Sequence, residues 1–253
     1  MIIDAPKPAH RYALRALWQE AFGDSDKFLD TFEVTAFSPD RCRCISEGEE
    51  VLAALYWFDV SLDGERIAYL YTVATAKAHR GRGLCRLLME NTHAHLAALG
   101  YKAALLVPGE PHLFDFYQRM GYRVCSHVDE FDCTASEETI ELGSLCVEEY
   151  ATIRRGFLPQ NSVLQEKENL AFLAATASFY VGDGFVLAAE HKGDSLRGLE
   201  LLGDTEKAPA ILAALGCTTG TFRSPGNQRP FAMCYPLGEN ALTTLLYFGL
   251  AFD

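Results

Sequence analysis

The stretch that decides the fold is Val73-Ala74-Thr75-Ala76-Lys77-Ala78-His79-Arg80-Gly81-Arg82-Gly83-Leu84-Cys85. The β-rich run from Ile67 to Thr75 leads into it. A helical pattern leads out, with Leu84, Leu87, Leu88, Ala94 and Ala98 near helical spacing and Gly100 as the stop. The stretch therefore reads as strand, turn and helix start. The first N–H groups of a helix have no partner within it. Glycines let those groups come close to a ligand, and the helix dipole together with Arg80, Arg82 and Arg86 adds positive charge. Such a turn can seat a pyrophosphate; a glycine-rich cap with solvated arginines would read the same way. A Walker loop needs Gly-x-x-x-x-Gly-Lys-Ser/Thr, which is absent, and a dinucleotide turn needs a third glycine where Arg86 stands. The pattern left is Arg-x-x-Gly-x-Gly/Ala, met by Arg80-Gly81-Arg82-Gly83-Leu84-Cys85 except that Cys85 takes the last small position.

Upstream, residues 9–22 carry apolar side chains at helical spacing, and Gly23-Asp24-Ser25-Asp26 ends that helix and caps a second one over 26–37. Strands are expected at 42–46, 51–60 and 67–75, the last two joined by an Asp63-Gly64 turn. Downstream come a strand at 102–107, a short helix at 111–120 and the beginning of another strand at 121–125. The order is ααβββαβαβ. A polar shift at 132–138 sets the expected boundary between domains 1–131 and 132–253. Beyond it helices are expected near 147–155, 165–176 and 207–215, and strands near 178–181, 185–191, 196–202, 217–223 and 231–236. The second half repeats the order of the first, with a local echo: Leu96-Ala97-Ala98-Leu99-Gly100 against Leu212-Ala213-Ala214-Leu215-Gly216.

About thirty residues after the glycine turn stands Phe116-Tyr117-Gln118-Arg119-Met120-Gly121-Tyr122. The pair of motifs in this frame resembles the GNAT superfamily of acyl-CoA N-acyltransferases. The longer stretch VATAKAHRGRGL resembles its Eis-like branch, whose members carry a tandem, degenerate second GNAT-like domain. The resemblance implies an α/β fold: a mixed, largely antiparallel central sheet flanked by helices, followed by a degenerate second GNAT-like domain. It implies an N-acetyltransferase that uses acetyl-CoA and no metal. Val73, Ala74 and Thr75 would hold the pantetheine arm, Arg80, Gly81, Arg82, Gly83, Leu84 and Cys85 the pyrophosphate, and Tyr117 would be the general acid beside the sulfur. This chain departs from the pattern at Lys77, where proline is frequent, and at Glu110, where many relatives have asparagine seven residues before the tyrosine.

An amine must lose a proton before it attacks a thioester, since a Lys-like amine titrates near 10.4. Glu110 is the candidate base because it precedes the Tyr117 helix. His112 is a neighbour that titrates in a suitable range, and Glu33 and Asp59 reach such a site through folding alone. The Eis-like resemblance adds the terminal carboxylate, here that of Asp253, although no stretch of these 253 residues is expected to form the sterol-carrier-like third region of those relatives. The stripe Leu245-Tyr247-Phe248-Leu250-Phe252 is apolar enough to dock the tail.

With 253 residues and 49% hydrophobic content, the chain can build a core in each half. A net charge of −12 with no basic stripe argues against a nucleic-acid partner and favours an amine-bearing small molecule or peptide. No signal core or run of ~20 apolar residues occurs, so a cytoplasmic protein without membrane contact is expected. The eight cysteines include no Cys-x-x-Cys pair and are expected reduced. Two other readings stay open: a CoA-binding sensor or assembly protein whose catalysis has lapsed, and a second half that binds a peptide or another copy of the chain to form a homo-oligomer.

Overall fold

The computed structural model describes residues 1–138, 140–238 and 246–252. The chain forms two compact units. Met1–Leu106, Gln118–Tyr122 and the stretch from Cys234 make one; Val107–Tyr117, Arg123–Met233 and the described end of the chain make the other.

In chain order the first elements are β1 (Ile2–Asp4), α1 (Arg11–Phe22), α2 (Asp26–Thr35), β2 (Cys42–Glu47), β3 (Glu50–Leu62), β4 (Glu65–Thr75), α3 (Leu84–Ala98) and β5 (Ala103–Leu106). Helix α1 buries Leu14, Leu17 and Trp18, one helical stripe, and ends at Gly23 in the left-handed conformation (φ 77°). Ser25 caps α2 by accepting the Phe28 N–H at 3.3 Å. Strands β1 to β4 pair antiparallel in sequence order, and β4 pairs β5 in parallel. β3 is buried without a break from Val51 to Phe58, because helices cover both faces. Tyr56 and Phe58 meet Phe32 of α2 on one side, and Trp57 meets His95 of α3 on the other.

The chain continues with α4 (Pro111–Gln118), β6 (Arg123–Val124), β7 (His127–Thr134), β8 (Gly143–Leu145), α5 (Val147–Phe157), α6 (Glu168–Leu173), β9 (Ser178–Gly182), β10 (Phe185–Lys192), β11 (Ser195–Gly203), α7 (Ala208–Ala214), β12 (Thr219–Pro225), β13 (Arg229–Pro230) and β14 (Met233–Pro236). The second unit holds a seven-stranded sheet in the order β13-β7-β12-β11-β10-β9-β8. Its core gathers Phe185, Leu187, Leu201 and Phe222 under Ile211 and Leu212 of α7.

The two halves share a plan. In the first, β2-β3-β4 run antiparallel, α3 crosses over, and β5 returns parallel to β4. In the second, β9-β10-β11 run antiparallel, α7 crosses over, and β12 returns parallel to β11. The Leu-Ala-Ala-Leu-Gly echo marks the same point in both: Gly100 (φ 83°) and Gly216 (φ 68°) end the two crossover helices in the left-handed conformation.

Five elements differ from the sequence reading. β1, β7, β8 and β13 were not foreseen. The strand expected at 231–236 is β14, which lies beside β5 in the first sheet rather than among the second-half strands. β5 is Ala-Ala-Leu-Leu and fully buried, so it needs a partner on its free edge. β14 supplies one, and its Tyr235 stacks on His93 of α3 with ring centroids 4.1 Å apart.

Candidate active site

The site grows from β4. Its parallel pairing with β5 covers only Ile67, Ala68 and Tyr69, yet the strand runs six residues further, to Thr75. On the other edge the register with β3 slips. Ala54 faces Ala74 and Tyr56 faces Tyr71, so Leu55 opposes both Thr72 and Val73. The bulge centres on Thr72, at φ 48°, a left-handed conformation that a β-branched residue rarely takes and that costs about 1–3 kcal/mol. The Thr72 hydroxyl is buried and has no hydrogen-bond partner among the described residues. Val73, Ala74 and Thr75 therefore lie beyond the bulge, on the length of β4 that has parted from β5.

The chain then bends through residues held by backbone donors. Ala76 N–H donates to the Leu52 carbonyl (2.9 Å) and Lys77 N–H to Glu20 Oε2 (2.8 Å). A proline at 77 would have no N–H to give, so the departure at this position carries a bond of its own. Gly81 and Gly83 both adopt left-handed φ, 77° and 75°, and a Cβ at either would meet nothing within 4 Å. The backbone angle, not crowding, requires glycine, and the space over the turn is open. Gly83 caps α3, whose first residue, Leu84, is buried and anchors that first turn.

Charge surrounds this open turn. Arg80 Nε donates to the Thr75 carbonyl at 3.1 Å. Arg82 donates to His79 Nδ1 at 2.6 Å, and His79 Nε2 lies 3.0 Å from Glu50; a neutral imidazole protonated at Nε2 satisfies both contacts. Arg80, Arg82 and Arg86 are exposed. Free helix N–H groups, two left-handed glycines and three guanidinia suit a diphosphate. Cys85 is half-buried, and burial pushes its thiol up to about 11, so at neutral pH it is a protonated packing group and not a nucleophile.

The corresponding point of the second half keeps one left-handed glycine, Gly203 (φ 94°), and has no arginine. β11 leads to α7 through Gly203-Asp204-Thr205-Glu206-Lys207. Asp204 caps this turn by accepting the Glu206 N–H at 3.0 Å. Two carboxylates stand where the first half has arginines, and an anion there would be repelled.

The remaining candidates are placed as follows. Tyr117 lies in α4, buried, edge-on to Phe116 at 5.3 Å. Glu110 lies just before α4; its carboxylate is exposed and sits 3.1 Å from His112. Glu33 lies on α2, half-buried between Arg11 and Arg15. Burial pushes its carboxyl up, but the hydrogen bonds from both arginines outweigh that and hold it below the usual range. Asp59 lies on the α3 face of the sheet, where it accepts the Tyr101 hydroxyl, away from α1 and α2. Asp253 and Leu245 fall outside the described residues. The tail at 246–252 is pinned in the second unit: the Tyr247 carbonyl accepts Val163 N–H (2.9 Å) and the Leu250 carbonyl accepts Gln165 Nε2 (2.6 Å).

Two features escaped sequence reasoning. Thr72 gave no signal, since nothing in its letter marks a left-handed angle. The other is an apolar cavity of about 260 Å³ between α1 and α2. Trp18 and Tyr56 line it, and the same two rings line a narrow crevice that reaches Thr72 and Ala74. Their aromatic character was visible, but helical spacing at Trp18 reads equally as core.

Residues 4–125 match the acetyltransferase (GNAT) domain family. No curated protein sequence matches the chain. Among solved structures, the chain is similar to a GCN5-related N-acetyltransferase from Kribbella flavida, with 17% identity and a TM-score of 0.70 over 93% of this chain and 72% of that one. It is similar to Eis1 from Mycobacterium abscessus, with 14% identity and a TM-score of 0.66 over 94% and 74%. A putative acetyltransferase from Pyrococcus horikoshii covers 99% of this chain and 94% of its own, with 13% identity and a TM-score of 0.65. At these identities the likeness establishes the fold.

Proposed function

From a chain whose residues 4–125 match the acetyltransferase (GNAT) domain family, we propose an enzyme that transfers the acetyl group of acetyl-CoA to a primary amine by direct attack. The observation that carries this reading is one continuous run. β4 parts from β5 after Tyr69, bulges at Thr72, and leads through two left-handed glycines into the start of α3. The parted edge offers peptide groups to the amides of a pantetheine arm, from Val73 to Thr75. The turn from Arg80 to Cys85 offers N–H groups and charge to the pyrophosphate. A thioester held at both points has its carbonyl beside the bulge, where a backbone N–H can polarise it.

Direct attack is favoured over an acyl-enzyme because the thiol in the turn, Cys85, is held protonated by burial. The departing thiolate then needs a proton, and Tyr117 is the donor in this reading. The amine must arrive neutral. Glu110, exposed and next to His112, is the residue proposed to accept its proton. The acceptor is an amine-bearing small molecule or peptide, consistent with the acidic surface of a chain at net −12.

The test is to mix the full chain with acetyl-CoA and a panel of polyamines, aminoglycosides, lysine and peptides, and to follow release of free thiol. Amine-dependent release supports the enzyme. A protein that titrates acetyl-CoA but releases no thiol with any amine would be the lapsed CoA binder instead.

A further inference from the structure

Thr72 faces a direction that a regular strand would not give it. Successive residues of a strand point to opposite faces, yet Tyr71 and Thr72 both turn toward α1. The Tyr71 ring lies 5.6 Å from Trp18, and Thr72 lines a crevice with Leu17, Trp18 and Phe22 of the same helix. A bulge re-aims side chains in this way. The left-handed angle at Thr72 therefore has a product, a hydroxyl on the α1 face. That hydroxyl is buried without a hydrogen-bond partner among the described residues. The crevice around it is walled by Leu14, Leu17, Trp18, Phe22 and Tyr56, a setting in which an unsatisfied oxygen is costly.

The side of the sheet identifies the group that this oxygen meets. The cationic turn opens into α3, which covers the Trp57 face of β3, whereas the crevice lies on the Tyr56 face beneath α1. In the acetyl-transfer reading, on which this inference rests, the cofactor is held at the start of α3. The molecule that meets the bulge from the α1 face is then the acceptor. Its body has room beside the crevice, since Leu14, Trp18 and Tyr56 also line the cavity of about 260 Å³ between α1 and α2. The charges around that cavity are matched: Arg11 pairs with Glu33, and Arg15 with Glu33, Asp26 and Asp30. Among the described residues no carboxylate lines the crevice itself, so a second ammonium near the reacting one has no free counter-charge. Apolar walls also favour the neutral form of an amine, which is the form that attacks.

We propose that the Thr72 hydroxyl receives the attacking amine, and that the acceptor is a monoamine on a small apolar or aromatic body. Phe22, the last residue of α1 and 48% exposed, is the wall next to solvent, and its rotation opens the crevice. The neutral amine donates one N–H to the Thr72 oxygen, which leaves its lone pair for the thioester carbonyl carbon. The new C–N bond replaces the C–S bond, whose electron pair departs on sulfur. The nitrogen gives up one proton and the sulfur gains one.

The experiment follows free thiol from the full chain with acetyl-CoA and three probes: phenethylamine, spermidine and kanamycin. Phenethylamine is expected to show a kcat/KM at least about tenfold above the other two. Thr72→Val keeps the shape and the branched Cβ but lacks the oxygen. It should lower kcat/KM for phenethylamine by about tenfold, the scale of one hydrogen bond. Its acetyl-CoA Kd in calorimetry should match the parent's, and it should melt no lower, because the hydroxyl it removes has no partner in the fold. Thr72→Ser should keep the parent kcat/KM. Faster acetylation of spermidine or kanamycin, parent kcat/KM in Thr72→Val, or no rescue by Thr72→Ser overturns the proposal and leaves acetyl transfer standing. A lower melting temperature or weaker acetyl-CoA binding in Thr72→Val also overturns it, by giving the hydroxyl to the fold or to the cofactor. Bound acetyl-CoA with no thiol release from any amine removes the acetyl-transfer reading, and this inference with it.

Discussion

Replacing Gly83 with alanine separates the cradle's role in folding from its role in binding. Gly83 sits at φ 75° with nothing within 4 Å of an added Cβ, so the fold loses only the cost of a left-handed L-residue, about 1–2 kcal/mol. For a chain of this size that is a fall in melting temperature of roughly 2–4 °C per kcal/mol. The added methyl projects into the open space proposed for the pyrophosphate. Displacing one charge-assisted bond there removes about 1.5–3 kcal/mol of binding, or roughly 10–100-fold in acetyl-CoA affinity. Gly100 provides the control, at φ 83° with the same open surroundings. It lies beyond the far end of α3, about 22 Å away along a helix of 15 residues. Gly100→Ala should lose as much stability and keep its affinity. The assay is thermal melting with and without acetyl-CoA at 100 times the parent Kd. Parent and Gly100→Ala should each gain about 2.7 kcal/mol from the ligand, and a variant weakened 100-fold only about 0.4 kcal/mol. If Gly83→Ala gains as much from acetyl-CoA as Gly100→Ala, the turn does not hold the cofactor.

Tyr117→Phe should lower kcat by about 10²-fold or more with little change in acetyl-CoA affinity; an unchanged turnover in the thiol assay removes the phenol from the mechanism. Arg154 and Glu200 form a buried ion pair in the second unit, with side chains 3% and 0% exposed, and Tyr150 and Tyr247 also donate to that carboxylate. Glu200→Leu should cost about 3–5 kcal/mol in urea unfolding, and adding Arg154→Met should restore much of it, because the damage is an unpaired buried charge. His93 is buried beneath Tyr235, donor or acceptor to Tyr122 at 2.7 Å, and burial lowers its pKa to about 4. The folded ring is neutral while the unfolded one protonates below about 6.5, so stability should fall as pH drops from 6.5 toward 4, by up to about 3 kcal/mol. A urea midpoint for His93→Gln that falls as steeply as the parent's over that window would show that His93 is not the group responsible.

Elements with a strong period were legible in the sequence. The α1 stripe, the antiparallel β2 to β4 run and the glycine-stopped α3 all follow from residue pattern, because burial of one face fixes both type and register. The turn at Arg80–Cys85 was legible because left-handed positions nearly require glycine. What was not legible depends on partners distant in sequence. β14 joins β5 because a buried Ala-Ala-Leu-Leu strand needs a second neighbour, and nothing local to 233–236 encodes that. Thr72 takes its left-handed angle because the register of β3 and β4 slips around it, a conflict visible only once both strands are paired. Glu33 carried no mark that distinguished a salt-bridged carboxylate from a proton acceptor until Arg11 and Arg15 were placed beside it.

The second half provides an internal comparison for the strain at Thr72. β11 also stops pairing with its parallel neighbour early, at Gly198, and runs on to Gly203. It also carries a bulge: Ala188 faces Glu200 and Ala189 faces Gly198, leaving Leu199 over. The frame of the β4 edge is thus repeated. Yet among the described residues the non-glycine positions with left-handed φ are Asp63, Thr72, Asn161 and Lys167, none of them in β11, and the turn before the next helix carries Asp204 and Glu206 rather than arginines. A splayed strand pair is therefore a property of the shared topology. The unfavourable angle at Thr72, its unpartnered hydroxyl and the cationic turn occur together in one half and are all absent from the other. Strain of about 1–3 kcal/mol persists where the surrounding structure holds it in place. The joint absence of strain and charge from the second half is the pattern expected if both serve one ligand, which under the proposed function is acetyl-CoA.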